Sequence, residues 1–192
     1  PIPIETVADY HLPKYIDKKT LVVLNSYSGN TEETLQMFAE AKTEGCHILI
    51  LTGGGKLKEL ATANNIKTYD LASGYQPRMT VGFGLSILSM IIGELIGTDY
   101  TPIIQGVKNH FEKNLARQQE SGTRIFDFFK NTPRKKFVIV CDREFAPVAI
   151  RFTQQLQENS KLEGFVNVLP ESNHNAIESY TDTCPEALGS KP

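Results

Sequence analysis

The sequence predicts an α/β fold, with two parallel sheets flanked by helices and wound on both faces in the flavodoxin-like manner. Two observations carry this. Aliphatic runs at 21–24, 46–51, 137–140 and 165–169 read as strands covered on both faces, because a half-solvated strand would alternate polar and apolar residues. Polar or glycine-rich loops and stretches of helical period separate such runs, and that β-loop-α alternation with short connections gives parallel sheets.

Taken in order, residues 4–10 read as an extended piece, with a short turn or helix at 12–16. The strand at 21–24 leads into a helix over 31–42, with Leu35, Phe38, Ala39 and Ala41 as its apolar face. The strand at 46–51 passes through Thr52-Gly53-Gly54-Gly55 into a helix at 56–64, and a short strand follows at 66–69. The glycine triplet lacks the rest of any nucleotide fingerprint. Pro77 pushes Gln76 to extended backbone, so 74–78 is an irregular loop feeding a buried helix from Met79 to Ile96. Residues 101–119 are helical in period, and Ser121-Gly122 and Asn131-Thr132-Pro133 read as breaks. We therefore expect a first domain over 1–120, a linker at 121–133 and a second domain from 134 to 192. In the second, a loop at 142–145 joins strand 137–140 to a helix over 147–161, which carries Pro147 in its first turn. Its polar side is Arg151, Gln154, Gln155 and Glu158, and strand 165–169 ends at Pro170.

The 192 residues carry a formal net charge of −2, and no basic stripe points to nucleic acid. Arg134-Lys135-Lys136 reads as the solvated start of a strand. The longest apolar stretch, 81–96, is too short and too interrupted to span a membrane. Cys46, Cys141 and Cys184 have no metal-like spacing, and their odd number argues for a reducing, cytoplasmic setting. No metal or other cofactor is expected.

The richest stretch is Leu21–Leu35. A strand breaks into Ser26-Tyr27-Ser28-Gly29-Asn30-Thr31 and then into an acidic first helical turn, Glu32 and Glu33. The hydroxyls of Ser26, Ser28 and Thr31 sit where free N–H groups and a positive dipole end form an anion site, and phosphate is the expected anion. Read more plainly, Ser28, Asn30 or Thr31 caps the helix. Two further loops bear charged groups at helix starts. Arg78 suits a negative ligand, or covers the loop as a surface arginine. Pro170-Glu171-Ser172-Asn173-His174-Asn175 follows a strand as the serine loop does, with a helix beginning near Asn175. Glu171 there is either a carboxylate base raised by a dry cleft or a solvated loop residue, and His174 titrates in the physiological range.

Residues 26–34 resemble the phosphosugar loop of sugar isomerase (SIS) domains, and in particular that of the bifunctional phosphoglucose/phosphomannose isomerases. Gln76-Pro77-Arg78, Gln157–Lys161 and Asn167–Asn175 resemble other stretches of the same family. The resemblance implies that Ser26, Ser28 and Thr31 hold the sugar's phosphate. It implies that Arg78 lies beside the reacting carbons and that Glu171 moves a proton between C1 and C2 through a cis-enediol. It also implies a ring-opening histidine, for which His174 is the candidate, and a homodimer. The remaining histidines, His11, His47 and His110, read as structural or exposed.

The family's upstream Gly-Gly-Ser loop has no counterpart here. Nor does its C-terminal lysine helix, for Lys191 lies in a tail that does not read as a helix. A fragment of a longer isomerase is therefore expected, with its active site in the cleft between two SIS units. The expected substrates are glucose 6-phosphate, fructose 6-phosphate and mannose 6-phosphate. The alternative is a non-catalytic phosphosugar sensor, which needs the serine loop but neither Glu171 nor Arg78.

Overall fold

The computed structural model describes residues 2–131 and 136–180. Thr132, Pro133, Arg134 and Lys135, and the tail from 181 with Cys184 and Lys191, lie outside the described residues. The chain divides between Leu115 and Ala116 into two compact units.

In the first unit, β1 (Leu21–Ser26), β2 (His47–Thr52) and β3 (Thr68–Asp70) form a parallel sheet in the order β1-β2-β3. Leu21 pairs with His47 and Ile50 with Thr68, so all three strands end at the same edge. Side chains alternate across a strand, and each face has its own core. Val22, Leu24 and Ile50 pack with Met37, Phe38 and Ala41 of α1 (Glu32–Thr43) and Leu57 and Ala61 of α2 (Gly55–Ala63). Val23, Leu49 and Leu51 pack on the other face with Ile87, Leu88 and Ile91 of α3 (Val81–Ile96). Helices thus cover both faces, as the unbroken apolar strands require.

α3 departs from the buried helix expected of its composition. Ile91 and Gly93 are its buried residues, whereas Phe83, Leu85, Met90 and Leu95 are exposed. A helix against one sheet face buries one stripe, and the described residues supply no second layer for the rest. No helix among them is long and apolar enough to cross a membrane.

The expected break at Ser121-Gly122 is corrected: α4 runs from Thr101 to Phe129 without interruption. One interior glycine costs a helix only about 1 kcal/mol. Ile125, Phe128 and Phe129 resume the helical spacing beyond it, with no proline before Pro133.

In the second unit, β4 (Lys136–Asp142) pairs in parallel with β5 (Glu163–Leu169) across α5 (Ala146–Ser160). Gly164 lies against the ring of Phe137, where a Cβ would collide. Cys46 and Cys141 are free thiols, and burial raises the Cys46 pKa.

Candidate functional site

The loops that follow β1, β2 and β3 converge at the carboxyl edge of the first sheet. Open α/β sheets hold their ligands at this edge. β1 buries Ser26 at its end, and the Ser26 hydroxyl lies 2.8 Å from that of Thr31. The Gly29 N–H donates to the Ser26 Oγ (3.2 Å), and the Thr31 hydroxyl donates on to Thr34 (2.9 Å). Ser28 is exposed, and its Oγ accepts the Asn30 N–H. The hydroxyls of Ser26 and Thr31 thus meet at the mouth of α1, while that of Ser28 faces outward two residues along the same loop.

None of them caps α1. Thr31 is the residue before the helix, with extended backbone, and makes no side-chain cap. Its hydroxyl is engaged with Ser26 and Thr34 instead. Asn30 reaches away, and its Oδ1 accepts the backbone N–H of Lys56 in the first turn of α2 (2.9 Å). The first-turn N–H groups of α1 thus receive no side-chain cap from Thr31, and uncapped N–H groups are the donors that an anion site requires.

The glycine triplet has a packing role that sequence reasoning missed. Gly29 has φ +66, a conformation that side chains disfavour, and a Cβ there would strike the Gly54 carbonyl oxygen. Gly55 has φ +69, and its Cβ would strike the carbonyl of Ser28. The two loops nest together only because both positions lack side chains. The Gly53 N–H donates to the Tyr27 carbonyl (2.9 Å) and Leu57 N–H to that of Gly29 (2.9 Å), so the serine loop rests on the β2 loop.

The third loop is tied by Tyr27. Its phenol donates to the Ala72 carbonyl (2.9 Å) and accepts the Tyr75 N–H (3.0 Å). Arg78 follows at the centre of a 3-10 turn, Pro77–Met79, and is half-buried. That turn precedes α3, so the helix expected from Met79 starts at Val81. The Thr80 hydroxyl donates to the Pro77 carbonyl (2.8 Å) and closes the turn. The structure thus brings Ser26 and Thr31 together, keeps Ser28 exposed on the same loop, and ties the Arg78 loop to that loop.

Glu171 and His174 belong to the second unit. Asp142 pairs with Leu169, so the loops after β4 and β5 leave that sheet side by side. Glu171 and His174 lie on short 3-10 turns, Glu171–Asn173 and Ala176–Tyr180 with the residues between, where a helix from Asn175 was expected. Ser172 is buried, and its hydroxyl donates to the Val168 carbonyl (2.9 Å), anchoring the turn to β5. Both Glu171 and His174 are exposed, and the Asn175 amide donates to a Glu171 carboxylate oxygen (3.2 Å). No group of metal ligands occurs among the described residues.

Comparison with known proteins shows what this arrangement is similar to. Residues 121–188 match the model of the bacterial phospho-glucose isomerase C-terminal SIS domain. A bifunctional phosphoglucose/phosphomannose isomerase of Caldicellulosiruptor bescii is 33% identical over 184 residues, which is 92% of this chain and 54% of the relative. Over most of its length the chain is thus similar to the bifunctional phosphoglucose/phosphomannose isomerases. Another relative is a D-glucosamine-6-phosphate 4-epimerase of Sulfolobus acidocaldarius, 36% identical over 167 residues, which is 86% of this chain and 53% of that protein. The chain spans about half the length of these curated relatives. The C-terminal domain of glucosamine-fructose-6-phosphate aminotransferase from Francisella tularensis superposes with a TM-score of 0.65 at 16% identity, over 92% of this chain and 57% of that one. That likeness shows the SIS fold.

Proposed function

We propose that this chain belongs to the phosphoglucose/phosphomannose isomerases and takes part in aldose–ketose isomerisation of sugar 6-phosphates, interconverting glucose 6-phosphate and fructose 6-phosphate and accepting mannose 6-phosphate. One observation carries the reading: hydroxyls and uncapped helix N–H groups gather at the mouth of α1, with an arginine loop tied beside them. Phosphate is held by Ser26, Ser28 and Thr31. Glu171 takes the C2 proton of the open-chain aldose and returns it to C1, while the hydroxyl proton passes from O2 to O1 and the carbonyl from C1 to C2. Arg78 steadies the enediolate oxygen that forms between. His174 opens the ring, and the family's dimer supplies the setting for that step.

A second reading is a phosphosugar sensor without catalysis. The exposure of Glu171 favours it, because a base active near neutral pH gains from a dry site. A coupled assay for glucose 6-phosphate formed from fructose 6-phosphate separates the two. We expect turnover that falls by roughly 100- to 10,000-fold in Glu171→Gln. Turnover unchanged by that substitution removes Glu171 from the mechanism. Tight binding of fructose 6-phosphate without turnover establishes the sensor.

A further inference from the structure

We propose that Tyr27 is a positioning residue of the isomerase site, holding Arg78 in register with the phosphate loop. The inference rests on the isomerase reading above. Tyr27 lies between two of the phosphate-binding serines, but strand alternation turns its ring to the α3 face, where it packs on the core of Leu51, Leu71 and Ile91. A phenol can donate and accept at once, and this one does both: it donates to the Ala72 carbonyl at 2.9 Å and accepts the Tyr75 N–H at 3.0 Å. Its own carbonyl accepts the Gly53 N–H at 2.9 Å. One residue thereby connects the loops at the ends of β1, β2 and β3.

Beyond Tyr75 the chain reaches Arg78 after two residues. The far side of the loop is fixed independently, by the Met79 N–H donating to the Gln76 carbonyl (2.8 Å) and by Thr80 closing on Pro77. The Tyr75 ring meets Phe83 of α3 with centroids 5.8 Å apart. Tyr27 is thus the anchor on the near side. A phenylalanine at this position keeps the ring and its packing but leaves the Ala72 carbonyl and the Tyr75 N–H without their partner. The hydroxyls that hold phosphate are untouched, so ground-state binding survives while the arginine loses its aim.

The test is steady-state kinetics of Tyr27→Phe, Arg78→Ala and the double variant, with amide hydrogen exchange across residues 72–78. Misplacement of an oriented group by about 1 Å costs on the order of 100-fold. We therefore expect kcat to fall about 10- to 100-fold in Tyr27→Phe with KM within about twofold of the parent. The Tyr75 amide should exchange faster in the variant. In the Arg78→Ala background Tyr27→Phe should add no further loss, because both substitutions remove the same contribution. An unchanged kcat, losses that multiply in the double variant, or an unaltered Tyr75 exchange rate each overturns the inference alone. A parent protein without turnover overturns the isomerase reading and this inference with it.

Discussion

The side chain of Asn30 accepts the backbone N–H of Lys56 at 2.9 Å, so the serine loop caps the helix of the neighbouring βα unit and not its own. This one bond links the mouth of α1 to the start of α2. Asn30→Ala should cost about 1 kcal/mol of stability, the usual worth of a helix cap, and Asn30→Asp much less. Urea unfolding of the two variants checks this. Equal losses would mean that the cap contributes nothing.

Gly29→Ala should be more damaging. The residue sits at φ +66, and the added methyl would meet the Gly54 carbonyl. Strain and overpacking together should cost about 2–4 kcal/mol. Denaturant titration measures it, and a loss under about 1 kcal/mol would show that the two loops separate easily.

Ser26 should matter for binding more than for turnover. A hydrogen bond to a charged group is worth about 1.5–3 kcal/mol, or roughly 10- to 100-fold. Ser26→Ala should raise KM for fructose 6-phosphate by about that factor, and weaken inhibition by inorganic phosphate in parallel. A variant whose phosphate inhibition is unchanged would take Ser26 out of the phosphate site.

The pair of His11 and Glu40 ties the N-terminal segment to α1 and sets a pH dependence. Glu40 accepts the Leu12 N–H (2.8 Å) and lies 2.6 Å from the His11 ring. Its pKa is lowered from 4.5 to about 2, first by the Leu12 N–H and then by His11 and Gln36. A depressed carboxylate stabilises the fold fully above its unfolded value and loses that contribution as pH falls through the folded one. The stability gap between the parent and Glu40→Gln should therefore shrink between pH 4.5 and about 2. His11 is raised from 6.5 by the Glu40 hydrogen bond, so its share is full below pH 6.5 and fades as pH rises through the raised value. Urea midpoints at pH 3, 5.5 and 9 test both arms, and a gap constant across them would refute the pairing.

What the sequence made legible was chemistry local in the chain. The strand, the hydroxyl loop and the helix start fall within residues 21–35, so Ser26, Ser28 and Thr31 could be read together. Unbroken apolar runs located the strands to within a few residues. What stayed hidden depends on distant partners. Nothing near Tyr27 announces Ala72 or Tyr75, and nothing near Gly54 announces Gly29. Asn30 is one of three residues, with Ser28 and Thr31, that the sequence offers as a cap for α1, because a cap ordinarily serves the helix that follows it; the loop's docking turns it to α2. Ser121-Gly122 misled because weak helix formers predict a break only when the flanking residues do not resume the pattern.

Leu21 pairs with His47 across the whole of α1, and Lys136 with Glu163 across the whole of α5. Neither pairing can begin as a hairpin. The first ladder bond in each sheet must close a loop that already contains a helix, and the entropy of that closure comes before any reward from the sheet. As the chain leaves the ribosome, β1 must therefore wait for β2, and β4 for β5, until the helix and the next strand have been made. Those are the intervals in which a chaperone, or another nascent copy, would meet them.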